Sequence, residues 1–259
     1  MDREIVVLAD LDQASREAAE RLVKIARDAI AARGQFTLAL SGGSTPQAVY
    51  ELLAGDEYRS QIDWDHAHVF WGDERCVPPD HPESNFFMAQ ETLLAHVPIP
   101  PSNIHRIPAD QGDPEAAAVA YEQVLNACFQ LQDGAAPAFD LVFLGLGTDG
   151  HTAALFPHSG ALHETRRLVT TAMGERPRLP RVTLTLPVLN HAKRLIWLVA
   201  GQEKAAVVRA ILEGPTQLGD FPARQVRPTH TTPLWLLDDA AARLLQERNN
   251  DTGAHDSGR

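Results

Sequence analysis

Apolar positions in this chain fall in short blocks separated by longer mixed stretches. Ile5 to Leu8, Phe36 to Leu40, Val69 to Trp71, Leu141 to Leu144, Arg181 to Leu186, Leu195 to Ala200 and Leu234 to Leu237 predict strands. The stretch after the first strand has helical spacing, with Ala18, Leu22, Ile25, Ala26, Ala29 and Ile30 on one side. Asp12 or Ser15 is its expected cap, and Arg33-Gly34 its end. Pro46 suits the first position of a second helix, capped by Ser44 or Thr45 and running through Val49, Leu52 and Leu53. Further helices are expected at Glu203 to Leu212 and Asp239 to Glu247. Strands apolar on both faces, alternating with helices, predict an α/β protein with a parallel sheet covered on both sides. Asp133 to Pro137 and Gly214 to Pro233 read as loops, and the polar Asn249 to Arg259 as a disordered tail. None of these resembles a domain linker, so residues 1–248 are expected to form one domain.

Composition narrows the picture. The chain has 259 residues, is 44% hydrophobic and 22% charged, and carries only 6% aromatic residues, which favours helices packed on a sheet over an all-β sandwich. Its net charge is −11, and no Lys/Arg run is longer than Arg166-Arg167, which argues against a nucleic-acid partner. An anionic substrate would need a local cluster of positive groups. Cys76 and Cys128 are too far apart for a disulfide framework and match no zinc spacing. No apolar stretch reaches the ~20 residues of a membrane span. The opening MDREIVVLAD lacks the features of a signal peptide. A soluble cytoplasmic protein is expected, with no membrane or obligate protein partner.

The candidate chemistry sits just after strands, where open α/β sheets bind ligands. Ser41-Gly42-Gly43-Ser44-Thr45 joins a strand to a helix. Its glycines and free N–H groups suit an anion such as phosphate, and equally suit a tight turn with a helix cap. It lacks the Gly-Lys-Ser/Thr ending of a P-loop, so a nucleoside triphosphate is not expected. Gly145-x-Gly147-x-x-Gly150 matches a dinucleotide fingerprint only by pattern: Pro157 interrupts any helix, and Asp149 would face a pyrophosphate. His151 follows that turn and could act as a general base, or be a surface or capping histidine. Asp73, Glu74 and Arg75 follow another strand, in what otherwise reads as a solvated turn. Lys204 opens a helix, a poor place for a cation unless an anion binds nearby. No Gly-x-Ser-x-Gly elbow, His-Glu-x-x-His or Cys-x-x-Cys occurs, so neither a serine nucleophile nor a metal is expected.

Taken together, Leu40 to Pro46, Trp71 to Arg75, Ser84-Asn85, Gly145 to Pro157, Arg181 to Thr185 and Gly201 to Ala205 resemble the 6-phosphogluconolactonase family, in order and over about residues 5 to 247. The resemblance implies a modified Rossmann-type three-layer α/β/α sandwich with a mostly parallel sheet and no bound nucleotide or other cofactor. It implies a sugar-phosphate lactone of the oxidative pentose phosphate pathway as substrate and His151 as the group that activates water. The Ser41–Thr45 loop, Arg75 and Lys204 would hold the phosphate, with Asp73 and Arg181 lining the site.

Two rival readings share this scaffold. Glucosamine-6-phosphate deaminases carry an Asn-Glu-Pro stretch shortly after the Gly-His element. The matching segment here, Ala154-Leu155-Phe156-Pro157, has no acid, although Asp73 matches that family's base position. A non-catalytic sugar-phosphate sensor is the other rival. Regulators of that kind add a DNA-binding module, for which a first strand at Ile5 is expected to leave no room.

Overall fold

A computed structural model describes residues 3–175, 177–215 and 221–246. The strands are β1 (Glu4–Leu8), β2 (Phe36–Leu40), β3 (Ala67–Trp71), β4 (Asp73–Arg75), β5 (Leu141–Leu144), β6 (Val169–Met173), β7 (Pro180–Leu184), β8 (Leu195–Val199) and β9 (Leu234–Asp238). The helices are α1 (Leu11–Arg33), α2 (Ser44–Ala54), α3 (Asp56–Arg59), α4 (Asn85–Ala89), α5 (Pro114–Phe129), α6 (Leu186–His191), α7 (Ala205–Leu212), α8 (Pro222–Gln225) and α9 (Asp239–Ala242).

Six strands form one parallel sheet in the order β1-β9-β8-β5-β2-β3. Every residue of β2, β5, β8 and β9 is buried, as expected when helices cover both faces. The expected α/β sandwich is thus present. From β2 the chain crosses one way to β3, while β5 pairs on the other side of β2. The crevice between the carboxyl ends of β2 and β5 is therefore the topological switch point, where such sheets bind ligands. Two buried tyrosines fix the strand ends beside it. The Tyr50 hydroxyl of α2 donates to the Ser41 carbonyl (2.9 Å) and accepts from the Ser41 N–H (3.0 Å). Tyr121 of α5 does the same for Trp71 at the end of β3. Burial raises both phenols far above their ordinary pKa, so each remains a donor.

Several local expectations are corrected. Asp10, not Asp12 or Ser15, caps α1, accepting from the Gln13 N–H, while Gly34 closes the helix in the left-handed region (φ 75°) as expected. Neither Ser44 nor Thr45 caps α2: Gly43 takes that place at φ 105°, and Pro46 is the third residue of the helix rather than the first. Asp73 to Arg75 is a strand rather than a solvated turn. It pairs antiparallel with β7, and β7 with β6, in a second three-stranded sheet. The segment from Arg181 is thus a strand, but outside the parallel sheet. Helix α5 and strand β6 were not anticipated from the apolar pattern, although Asp113 and Pro114 form an ordinary cap and first turn for α5. The final helix, expected to run from Asp239 to Glu247, ends at Ala242, with 243–246 in turn and irregular backbone, while Glu247 and the tail 249–259 lie outside the described residues.

Candidate active site

The segments that follow β2, β3, β5 and β8 converge on one cleft. A hollow of about 240 Å³ is lined by Ser41, Gly42, Gly43, Asp73, Arg75, Asn85, His151, Arg181 and Lys204, together with Gly145–Gly147, Ala153 and Phe156. Ser44 and Thr45 face an adjoining hollow of about 390 Å³, which shares Gly42, Gly43, Gly145, Leu146 and Lys204 with the first. Ser41 to Thr45, Asp73, Arg75, His151, Arg181 and Lys204 thus each line one or both of two adjoining hollows, whereas Glu74 lines neither.

His151 stands on a turn, not a helix. The Gly147 N–H donates to the His151 carbonyl (2.9 Å) and the Gly150 N–H to the Gly147 carbonyl (3.0 Å). Gly150 has φ 81°, and a Cβ there would lie 2.4 Å from the Phe221 ring, so glycine is required on both counts. No helix opens here, in keeping with the sequence argument against a dinucleotide site. The His151 imidazole Nδ1 lies 2.6 Å from Asp149 Oδ1, and the His151 backbone N–H donates to the same oxygen (3.1 Å). Burial works against the Asp149 carboxylate, but its hydrogen bonds and charge interaction with His151 outweigh this and hold its pKa below the usual aspartate value. An ionised carboxylate only accepts, so Nδ1 carries the proton, and it is Nε2 that holds the lone pair when the ring is neutral. Phe156 leans on the ring at 4.7 Å between centroids. Asp149 is the member of this pair that the sequence reading missed, having weighed it only as a charge against pyrophosphate. Its signal was the Asp-x-His spacing in a tight turn.

The opposite wall is positive. Arg75 and Arg181 face each other across the β4–β7 pair. Like charges directly opposite on neighbouring strands repel, and Arg181 is only 5% exposed. Its guanidinium makes no hydrogen bond or ion pair with a described residue, and its Nε is buried without a partner. Burial lowers the Arg181 pKa, Asp73 acting against that effect and Arg75 adding to it. Arg75 donates to the Glu83 carbonyl (2.6 Å), while its Nε is also buried and unpartnered. Lys204 immediately precedes α7 and pairs with no described carboxylate. Across the groove from it, α2 begins without a side-chain cap, so its first N–H groups have no intrahelical partner. Two arginines, a lysine and an open helix N-terminus around one groove make an anion site in a chain of net charge −11.

Among the described residues, no group of three or more His, Cys, Asp or Glu side chains is arranged to hold a metal ion. No described helix is long and apolar enough to cross a membrane.

A groove at the switch point of a parallel sheet, with a His–Asp pair on one wall and cations on the other, has the parts of an α/β enzyme site for a small anionic molecule. The chain belongs to the family of glucosamine-6-phosphate isomerases and 6-phosphogluconolactonases, whose pattern residues 9–235 match. Within that family it is 46% identical over 218 residues to the 6-phosphogluconolactonase of Synechocystis, covering 84% of this chain and 88% of the relative. It is 41% identical to the 6-phosphogluconolactonase of Nostoc, covering 95% and 99% of the two chains. The solved 6-phosphogluconolactonase of Trypanosoma brucei superposes with a TM-score of 0.84 at 31% identity, covering 94% of this chain and 98% of that one.

Proposed function

We propose that this protein hydrolyses 6-phospho-D-glucono-1,5-lactone to 6-phospho-D-gluconate, as a cytoplasmic single-domain enzyme (residues 1–248) of the oxidative pentose phosphate pathway. The observation that carries the reading is the Asp149–His151 pair opening into the same cleft as Arg75, Arg181 and Lys204. The phosphate binds among Lys204, Arg75 and the Gly42–Thr45 loop at the start of α2. Arg181 and Asp73 line the wall beside it. This anchor turns the sugar so that C1 lies near His151.

Nε2 of His151 takes a proton from water as the water oxygen bonds to C1. The tetrahedral intermediate collapses, the bond from C1 to the ring oxygen breaks, and the imidazolium returns its proton to that oxygen. Asp149 stabilises the imidazolium in between. The new carboxylic acid loses its proton to solvent. A general base of this kind contributes about 10²–10⁴-fold. No covalent intermediate or cofactor enters the balance.

The deaminase reading requires an acid shortly after His151. Ala154 and Leu155 occupy that stretch and are fully buried in the core, and Phe156 packs on the imidazole. The test compares two substrates. Purified protein is expected to accelerate acid release from 6-phosphogluconolactone made in situ and to release no ammonia from glucosamine 6-phosphate. The opposite pattern would replace this reading with the deaminase.

A further inference from the structure

The cleft-lining residues do not account for Glu74. Its neighbours Asp73 and Arg75 both line the cleft, but Glu74 points away from it and is 4% exposed. Each carboxylate oxygen accepts two hydrogen bonds. Oε1 receives the N–H groups of Arg75 (2.7 Å) and Asn85 (2.8 Å). Oε2 receives the Phe86 N–H (2.7 Å) and the Ser84 hydroxyl (3.0 Å). The first two N–H groups of α4 are thus satisfied by a side chain from β4 rather than by their own cap. Ser84 accepts only the third, from Phe87 (3.1 Å).

This grip reaches both parts of the anion end. The residue before Ser84 supplies the Glu83 carbonyl that receives the Arg75 guanidinium. The residue after it, Asn85, is buried at the cleft and donates through Nδ2 to the Asp73 carbonyl (2.9 Å). The Asn85 carboxamide then lies against Gly42 so closely that a Cβ on Gly42 would fall 1.9 Å from Asn85 Oδ1. One buried carboxylate therefore fixes the Arg75 side chain and, through Asn85, the glycine loop across the groove.

We propose that Glu74 is a positioning residue for phosphate recognition, holding Arg75 and the Gly42 loop at the spacing that receives the anion. The proposal rests on the reading above, in which that end of the groove takes the phosphate. Four donors aimed at two oxygens need a carboxylate. A glutamine would keep one oxygen and turn an NH₂ group towards two donors, leaving one side of the clamp broken. Because Glu74 lies away from His151, its loss acts on binding rather than on the chemical step.

The test measures kcat and KM for Glu74→Gln and Glu74→Asp on 6-phosphogluconolactone made in situ and on unphosphorylated glucono-δ-lactone, with thermal unfolding of each variant and Lys204→Ala as reference. For Glu74→Gln, KM for the phosphorylated lactone is expected to rise by about tenfold, with kcat within about threefold and efficiency on the unphosphorylated lactone within about threefold. Glu74→Asp keeps the charge but retracts it by one methylene, and it is read the same way should the glutamine variant not fold. A folded variant with a lower Tm and an unchanged KM ratio between the lactones would reduce Glu74 to a structural role and overturn the proposal. If Lys204→Ala shifts that ratio while the Glu74 variants do not, the phosphate reading stands and the Glu74 proposal falls. If Lys204→Ala leaves the ratio unchanged, the phosphate reading fails and takes the proposal with it.

Discussion

Replacing Asp149 by asparagine tests the catalytic pair without changing its size. In the native site the carboxylate accepts from Nδ1 of His151 at 2.6 Å, a charge-assisted hydrogen bond. Such a bond contributes about 1.5–3 kcal/mol. It matters most when His151 is an imidazolium, which on the proposed mechanism is during turnover. Its loss then converts to about 10- to 150-fold in kcat at 1.36 kcal/mol per decade. Asparagine has a second effect. Its amide can donate to Nδ1, which selects the tautomer protonated on Nε2 and removes the base from the cleft. Asp149→Asn is therefore expected to lose at least as much as Asp149→Ala, whereas size alone would rank them the other way. KM should change little, because Asp149 does not line the positive wall. The assay is continuous acid release near pH 7 with the spontaneous rate subtracted. The native Asp149 pKa is lowered, so its contribution to stability is complete above the ordinary aspartate value of about 3.9 and disappears only as pH falls through the lower folded value. Acid titration of Asp149 therefore does not interfere at neutral pH. A folded Asp149→Asn enzyme with kcat within about twofold of wild type would refute the reasoning.

Three further outcomes follow from separate features. A Cβ on Gly147 would lie 2.1 Å from His151 Nδ1 and 2.5 Å from Asp149 Oδ1, so Gly147→Ala should displace the pair and lower turnover by about tenfold or more; circular dichroism should report a retained fold, and full activity would contradict the geometry. His105 stacks on Phe70 at 4.4 Å beside His68, and burial, then His68, push its pKa down to about 4. The unfolded chain takes up that proton near pH 6.5, so stability should fall as pH drops from about 6.5 towards 4, and His105→Phe should flatten this part of a Tm–pH curve. An identical slope in the variant would exclude His105 as the cause. Dialysis against a strong chelator should leave activity intact; a loss restored by zinc or magnesium would point to a metal that this account does not include.

Much of the site could be read along the chain because its pieces follow strands directly. The bounds of β2, Phe36–Leu40, coincide with its apolar run, and the residues after it line the groove. His151 could be placed at the sheet edge because β5 is short, wholly apolar and followed by glycines. What escaped depends on side-chain direction and pairing. Asp73 to Arg75 is a three-residue polar strand that exists only because β7 pairs with it, and no local pattern encodes that partner. Arg181 begins an apolar run indistinguishable from those of the main sheet, yet the run belongs to the second sheet. Glu74 and Arg75 are adjacent charges in the sequence. Strand alternation sends one into the protein and the other to the cleft, and a run read as a turn hides that division. Gly43 caps α2 because its φ of 105° suits glycine, overriding the better capping side chains that follow it.

The central claim is that His151 activates water for lactone opening, and His151→Asn tests it most directly. Asparagine roughly keeps size and polarity but accepts no proton at neutral pH. The measurement is the enzyme-dependent initial rate on 6-phosphogluconolactone generated in situ, corrected for spontaneous hydrolysis. Binding of 6-phosphogluconate is measured on the same preparation. The account predicts a fall of about 10²-fold or more in turnover with product binding retained. A folded His151→Asn protein that binds 6-phosphogluconate and turns over the lactone at near the wild-type rate would contradict it, and would move the search for the base to Asp73 on the facing strand.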